Sequence, residues 1–151
     1  MVLNEFAVSR PGFTFQILAT DISTRVLDQA RKAVYHEDLI APVSPALRKK
    51  YLLRSKDRQS GLVRIVPQLR AKVKFRRLNF LDTDFGLREP LDIIFCRNVI
   101  IYFDRQTQNS LLQRFYDHMR PGGYIFMGHS ETLNGLDVPL VGVAPAVYRK
   151  I

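Results

Sequence analysis

The segment PLDIIFCRNVIIYFDRQTQNSLLQRFYDHMRPGGYIFMGHSE, Pro90 to Glu131, decides the fold. Leu91 to Cys96 is a short apolar run between Pro90 and the polar pair Arg97-Asn98. It is too brief for a helix and reads as a strand buried on both faces. Asp104 then caps a helix whose apolar residues, Leu111, Leu112, Phe115, Tyr116 and Met119, share one face. Arg120 falls in its last turn, Pro121-Gly122-Gly123 ends it, and Tyr124 to Gly128 is a second apolar strand. Strand, helix, tight turn and strand make a βαβ unit, which implies a parallel sheet and an α/β fold. Ligands of such sheets sit beyond the carboxyl ends of the strands. Arg97, Asn98 and Tyr102 follow one strand end, and His129, Ser130 and Glu131 follow the next. A site is expected on that rim.

Upstream, Met1 to Val8 reads as the tail of a helix stopped by Ser9-Arg10-Pro11-Gly12. Phe13 to Thr20 is strand-like, with Asp21 at its carboxyl end. Ser23 or Thr24 then caps a helix with Val26, Leu27, Ala30, Ala33 and Val34 on one face. An acid at such a strand end is where dinucleotide-type folds hold ribose hydroxyls, because a carboxylate accepts two hydrogen bonds from a vicinal diol. The same Asp21 reads equally as a turn or cap residue. Tyr35 to Val43 is a connector, and Ser44-Pro45 starts a short helix carrying Leu47 and Leu52.

The net charge of +9 is concentrated. Arg48 to Arg77 holds 12 of the 23 basic residues and one of the 14 acids, a balance of +11 that leaves −2 for the rest. Within it, Tyr51 to Arg54, Leu62 to Val66 and Val73 to Leu78 read as strands, the middle and last mixing apolar and basic residues as half-exposed strands do. The expectation is an antiparallel hairpin, at about residues 48–77, inserted into the α/β domain and leading back into the main sheet. It reads either as a solvated basic face or as a docking surface for an acidic peptide, since an exposed strand edge can add a partner strand. Asn79 and Phe80 follow the last of these strands. An amide and an aromatic there can recognise and cover an adenine ring, and they read as well as a plain loop. The chain ends in an antiparallel pair, Val138 to Val143 and Ala146 to Arg149.

At 151 residues and 46% hydrophobic composition, one globular domain can bury a core. No apolar run approaches a membrane span, and no membrane insertion is expected. The single cysteine, Cys96, excludes an internal disulfide and reads as a small core residue. His36, His118, His129 and Cys96 share no ligand spacing, so no metal is expected. Within the basic segment only Tyr51 and Phe75 could stack on bases, which argues against a nucleic-acid partner.

ILATDIS at 17–23, LNF at 78–80, IIFCRNVIIYF at 93–103, RPGGYIF at 120–126 and GHSE at 128–131 together resemble the CheR-type chemotaxis-receptor glutamate methyltransferases. GLVR at 61–64 resembles the β-subdomain of that family. The resemblance implies a Rossmann-like class I methyltransferase sheet in a cytoplasmic enzyme. It implies methyl transfer from S-adenosylmethionine, leaving S-adenosylhomocysteine, to glutamate carboxylates of methyl-accepting chemotaxis receptors or similar acidic helical proteins. By position, Asp21 would hold the ribose, Asn79 and Phe80 would flank the adenine, and Arg97 and Asn98 would line the methionine side. Tyr102 would face the transfer site and orient the substrate. Gly61, Val63, Arg64 and Lys74 would meet the partner. In the family a helical domain and a first strand with a glycine-containing acidic loop precede the point where this chain begins. The sheet is therefore expected to lack its first strand, with unpaired inner edges on the strands ending at Asp21 and Cys96. The alternative is a non-catalytic piece that binds acidic receptor tails on the basic hairpin.

Overall fold

The computed structural model describes residues 1–151 and divides them into two compact units, Met1–Asn79 and Phe80–Ile151.

In the first unit, α1 (Val2–Ser9) is followed by a turn through Gly12 at φ +88°. β1 (Ile17–Asp21) leads into α2 (Thr24–Lys32), whose N-cap Ser23 accepts a hydrogen bond from the Val26 N–H. Of the expected apolar face only Leu27 and Ala33 are buried, while Val26 stays exposed. Ala33 adopts the left-handed conformation (φ +52°) and ends the helix. That reversal sends the next residues into an extended path, so the expected connector begins with a strand, β2 (Val34–His36). A 3-10 turn (Glu37–Ile40) and α3 (Pro45–Tyr51) follow, with Ser44 as the expected N-cap and Pro45 at the first helical position. β3 (Leu52–Arg54), β4 (Leu62–Ile65), α4 (Pro67–Arg70) and β5 (Val73–Arg77) complete the unit.

Two sheets result. β1 and β5 pair in parallel, from Ile17 opposite Val73 to Asp21 opposite Arg77. β2, β4 and β3 form an antiparallel sheet with β4 in the centre. This placement corrects the partner-facing assignment of Val63 and separates Lys74 from Arg64. Val63 is 2% exposed and belongs to the core, because the central strand turns alternate residues inward. Lys74 lies on β5, in the parallel pair, and not on the same sheet as Arg64. With both edges of β4 paired, the free edges of this sheet are those of β2 and β3.

In the second unit, β6 (Leu91–Cys96) and a 3-10 turn (Ile100–Tyr102) precede α5 (Arg105–His118). Asp104 is the N-cap of α5, its carboxylate accepting from the Thr107 N–H at 2.8 Å. β7 (Met119–Met127) runs parallel to β6, as the βαβ pattern requires. β8 (Leu140–Ala144) and β9 (Val147–Lys150) pair antiparallel, and the strand order is β6-β7-β9-β8. The core includes Leu111, Leu112 and Phe115 from α5 with Ile94, Cys96, Met119, Ile125 and Met127 from the strands.

Two expectations are corrected here. β6 is buried on one face only: Ile94 and Cys96 point inward, while Ile93 and Phe95 are exposed and Phe95 stacks on Phe126 with centroids 4.8 Å apart. The helix also ends earlier than Arg120. The Lys150 ammonium donates to the carbonyls of Tyr116 and Met119 at 2.7 and 3.0 Å, stabilising the helix terminus electrostatically. Arg120 to Gly123 is taken into β7 as a register jump, from Leu91 opposite Met119 to Ile93 opposite Tyr124. A side chain at Gly123 would meet the Arg120 carbonyl at 2.9 Å and the Asp92 carbonyl at 3.1 Å, so the chain closes there only with glycine. β1 and β6 each pair on one side only.

Candidate functional site

Asp21 is the last residue of β1 and is half-buried. Its Oδ1 accepts the Ser23 N–H at 2.7 Å, so the carboxylate is held against the turn into α2. The turn reading and the ligand reading of Asp21 are therefore compatible, since a carboxylate has further acceptor sites. The Leu78 N–H donates to the Asp21 carbonyl at 3.1 Å, extending the parallel pairing by one bond beyond Arg77. That bond brings half-buried Asn79 to the same strand end as Asp21. The first unit thus presents a carboxylate and an amide together at one rim.

Phe80 opens the second unit. Its ring stands edge-on to Phe115 (centroids 5.4 Å) and tilted against Phe85 (6.0 Å), and its carbonyl accepts from the Arg114 guanidinium at 2.7 Å. The ring is part of an aromatic cluster and remains half-buried.

Arg97, Asn98 and Tyr102 lie on the loop and turn after β6, all exposed, Tyr102 at 80%. This loop is held from beneath by Glu131, which is 5% exposed. Glu131 Oε1 accepts the N–H groups of Val99 (2.7 Å) and Ile100 (2.9 Å). Its Oε2 accepts those of Asn98 (2.9 Å) and Gly128 (2.6 Å). Burial acts to raise the Glu131 pKa, but the four backbone donors outweigh it and hold the carboxyl below its ordinary value. Asn98 takes the left-handed conformation (φ +59°), which asparagine tolerates better than most residues. Sequence reasoning placed Glu131 on the rim as a polar group and missed that it is a buried clamp. Its donors are 31 to 33 residues away except for Gly128, and no local pattern shows them. His129 and Ser130 are exposed beside it.

Cys96 is buried, and burial followed by the Glu131 charge pushes its thiol pKa up to about 12. It is a core residue and not a nucleophile. Of the remaining partner-facing candidates, Arg64 is exposed, its Nε donating to the Lys32 carbonyl at 3.0 Å, and Lys74 is exposed. Gly61 has φ +58° and its carbonyl accepts the Glu37 N–H at 2.8 Å, so it builds the turn into β4. No helix is long and apolar enough to cross a membrane.

Residues 1–141 match the family model described as CheR methyltransferase, SAM binding domain. A chemotaxis protein methyltransferase of Borreliella burgdorferi is 40% identical over 151 residues, covering 99% of this chain and 52% of that protein. Chemotaxis protein methyltransferase 2 of Pseudomonas aeruginosa is 45% identical over 133 residues, covering 88% of this chain and 48% of that protein. The chain spans about half the length of the curated relatives it matches. Among solved structures, PKMT2 from Rickettsia typhi in complex with AdoHcy overlaps 74% of this chain and 16% of its own at a TM-score of 0.45 and 17% identity. That likeness is too partial to bear on function.

Proposed function

This chain belongs to the CheR methyltransferase, SAM binding domain family, and on that premise we propose that it serves methyl transfer from S-adenosylmethionine to glutamate side chains of chemotaxis receptors. The observation that carries the reading is the family match over residues 1–141, together with relatives named as chemotaxis methyltransferases. The donor set suits the cofactor. Asp21 offers acceptors for a ribose diol, and the Asn79 amide and the Phe80 ring offer an edge and an apolar surface to adenine. The Arg97 guanidinium and the Asn98 amide suit the charged amino-acid end. When bound, S-adenosylmethionine supplies the electrophilic methyl group.

A glutamate carboxylate has an ordinary pKa of about 4.3 and is already ionised at neutral pH, so the chain need supply no general base. What remains for it is orientation. The exposed Tyr102 hydroxyl can donate to the substrate carboxylate and fix its direction. The partner is an acidic helical receptor, met by the exposed basic residues Arg64 and Lys74 and by the open edge of β3, with Gly61 shaping the turn. The reading implies a cytoplasmic protein.

Calorimetric titration with S-adenosylhomocysteine tests the cofactor site. Binding on the order of micromolar, weakened at least tenfold in Asp21→Ala, is the expected result. No binding at millimolar concentration overturns the reading. Incorporation of labelled methyl into receptor as a base-labile ester tests the substrate.

A further inference from the structure

Glu131 is the one buried charged side chain of the protein, and it lies under an exposed loop. Burying a charge is costly unless every lone pair is used. Here both oxygens are used twice: Oε1 by Val99 and Ile100, and Oε2 by Asn98 and Gly128. A carboxylate offers about four acceptor sites, so this one has no capacity left for a ligand. It can act on a bound molecule only through the groups it holds.

Those groups are the backbone of Asn98, Val99 and Ile100, the stretch between Arg97 and Tyr102. Two further features confine it. Asn98 is kept at φ +59°, a conformation that persists where surrounding structure over-determines it. Gly128 leaves no room for a side chain: a Cβ there would overlap the Asn98 Oδ1 and lie 2.7 Å from Glu131 Oε2 and 3.0 Å from the Asn98 nitrogen. The ends of two neighbouring parallel strands, β6 and β7, are thereby locked together through one carboxylate.

We infer that Glu131 is the positioning residue of this rim, setting Arg97, Asn98 and Tyr102 for the cofactor and substrate without touching either. The inference rests on the cofactor reading above. It assigns the acid of GHSE to the preorganisation of the loop, the kind of support that holds a site within a fraction of an ångström.

The test compares wild type, Glu131→Gln and the control Glu89→Gln, which neutralises an exposed carboxylate in the same unit. Each is titrated with S-adenosylhomocysteine well below its melting temperature and followed by ¹⁵N–¹H spectra. A positioning role predicts at least tenfold weaker binding in Glu131→Gln and no change in Glu89→Gln. It also predicts that ligand-induced shifts at Arg97 and Asn98 disappear, while those around Asp21 and Ser23 persist. A merely structural carboxylate would lower the melting temperature and leave affinity within twofold, or weaken every ligand-induced shift together; either result overturns the inference. Should Glu131→Gln fail to fold, Glu131→Asp keeps the charge but shortens the reach, and unchanged affinity there is equally decisive. Wild type that binds no S-adenosylhomocysteine overturns the cofactor reading instead. The hold of Glu131 on the loop is then read by itself: it stands if Glu131→Gln shifts the amides of residues 97–102, and falls if it does not.

Discussion

The two rims of this protein are held in different ways. At the end of β1, Asp21 and Asn79 are placed by the sheet itself: the parallel register runs to Asp21 opposite Arg77, and one more backbone bond carries it to Leu78. At the end of β6 the loop Arg97–Tyr102 has left the ladder, and a buried carboxylate replaces it. A rim continued by strand pairing needs no dedicated support. One that departs from the strand needs a side chain to satisfy its N–H groups, because unpaired buried donors are expensive. The difference between the two rims lies in what is beneath them.

Glu131→Ala should break the second rim most severely. It leaves up to four backbone donors without partners, and a loss of about 4 kcal/mol is expected in denaturant unfolding. The same carboxylate makes that rim sensitive to acid. Its folded pKa lies below the ordinary 4.5, so its contribution is present above that value and declines as pH falls through the lowered folded one. Glu131→Gln should therefore flatten the acid limb of the stability curve. A limb of unchanged steepness would mean that the clamp is not charged.

Gly128→Ala comes next. The added methyl must displace either the Asn98 amide or the clamping carboxylate, and a cost of about 2 kcal/mol is expected from overpacking. Thermal melts check it, and a neutral result would show that the loop after β6 can move aside.

The smallest effect belongs to the first rim. Asp21→Ala removes only the hydrogen bond from the Ser23 N–H, at a half-buried position, and should cost under about 1 kcal/mol. A loss as large as that of Glu131→Ala would erase the contrast between the rims.

Much of the fold is legible from local chemistry. Ser23, Ser44 and Asp104 stand as caps where short polar side chains precede helical stretches. The α5 stripe buries Leu111, Leu112 and Phe115, and the βαβ reading correctly made β6 and β7 parallel. Departures occur where a distant partner decides. Val34–His36 is a strand because β4 lies beside it, and Val63 is core because β4 is central. Arg120–Gly123 joins β7 because a register jump opposite β6 can take in the extra residues. Of the site, the residue types on both rims were readable; the support under one of them was not.

The sequence alone determined the βαβ unit, the helix caps, the concentration of positive charge and the rim positions of Asp21, Asn79, Arg97, Asn98 and Tyr102, because these depend on residues within a few positions of one another. Only the tertiary structure decided that β4 is sheltered between two strands and that Glu131 is buried with its lone pairs filled. Burial and hydrogen-bond satisfaction depend on groups some thirty residues apart, and proximity of that kind exists only once the chain has folded.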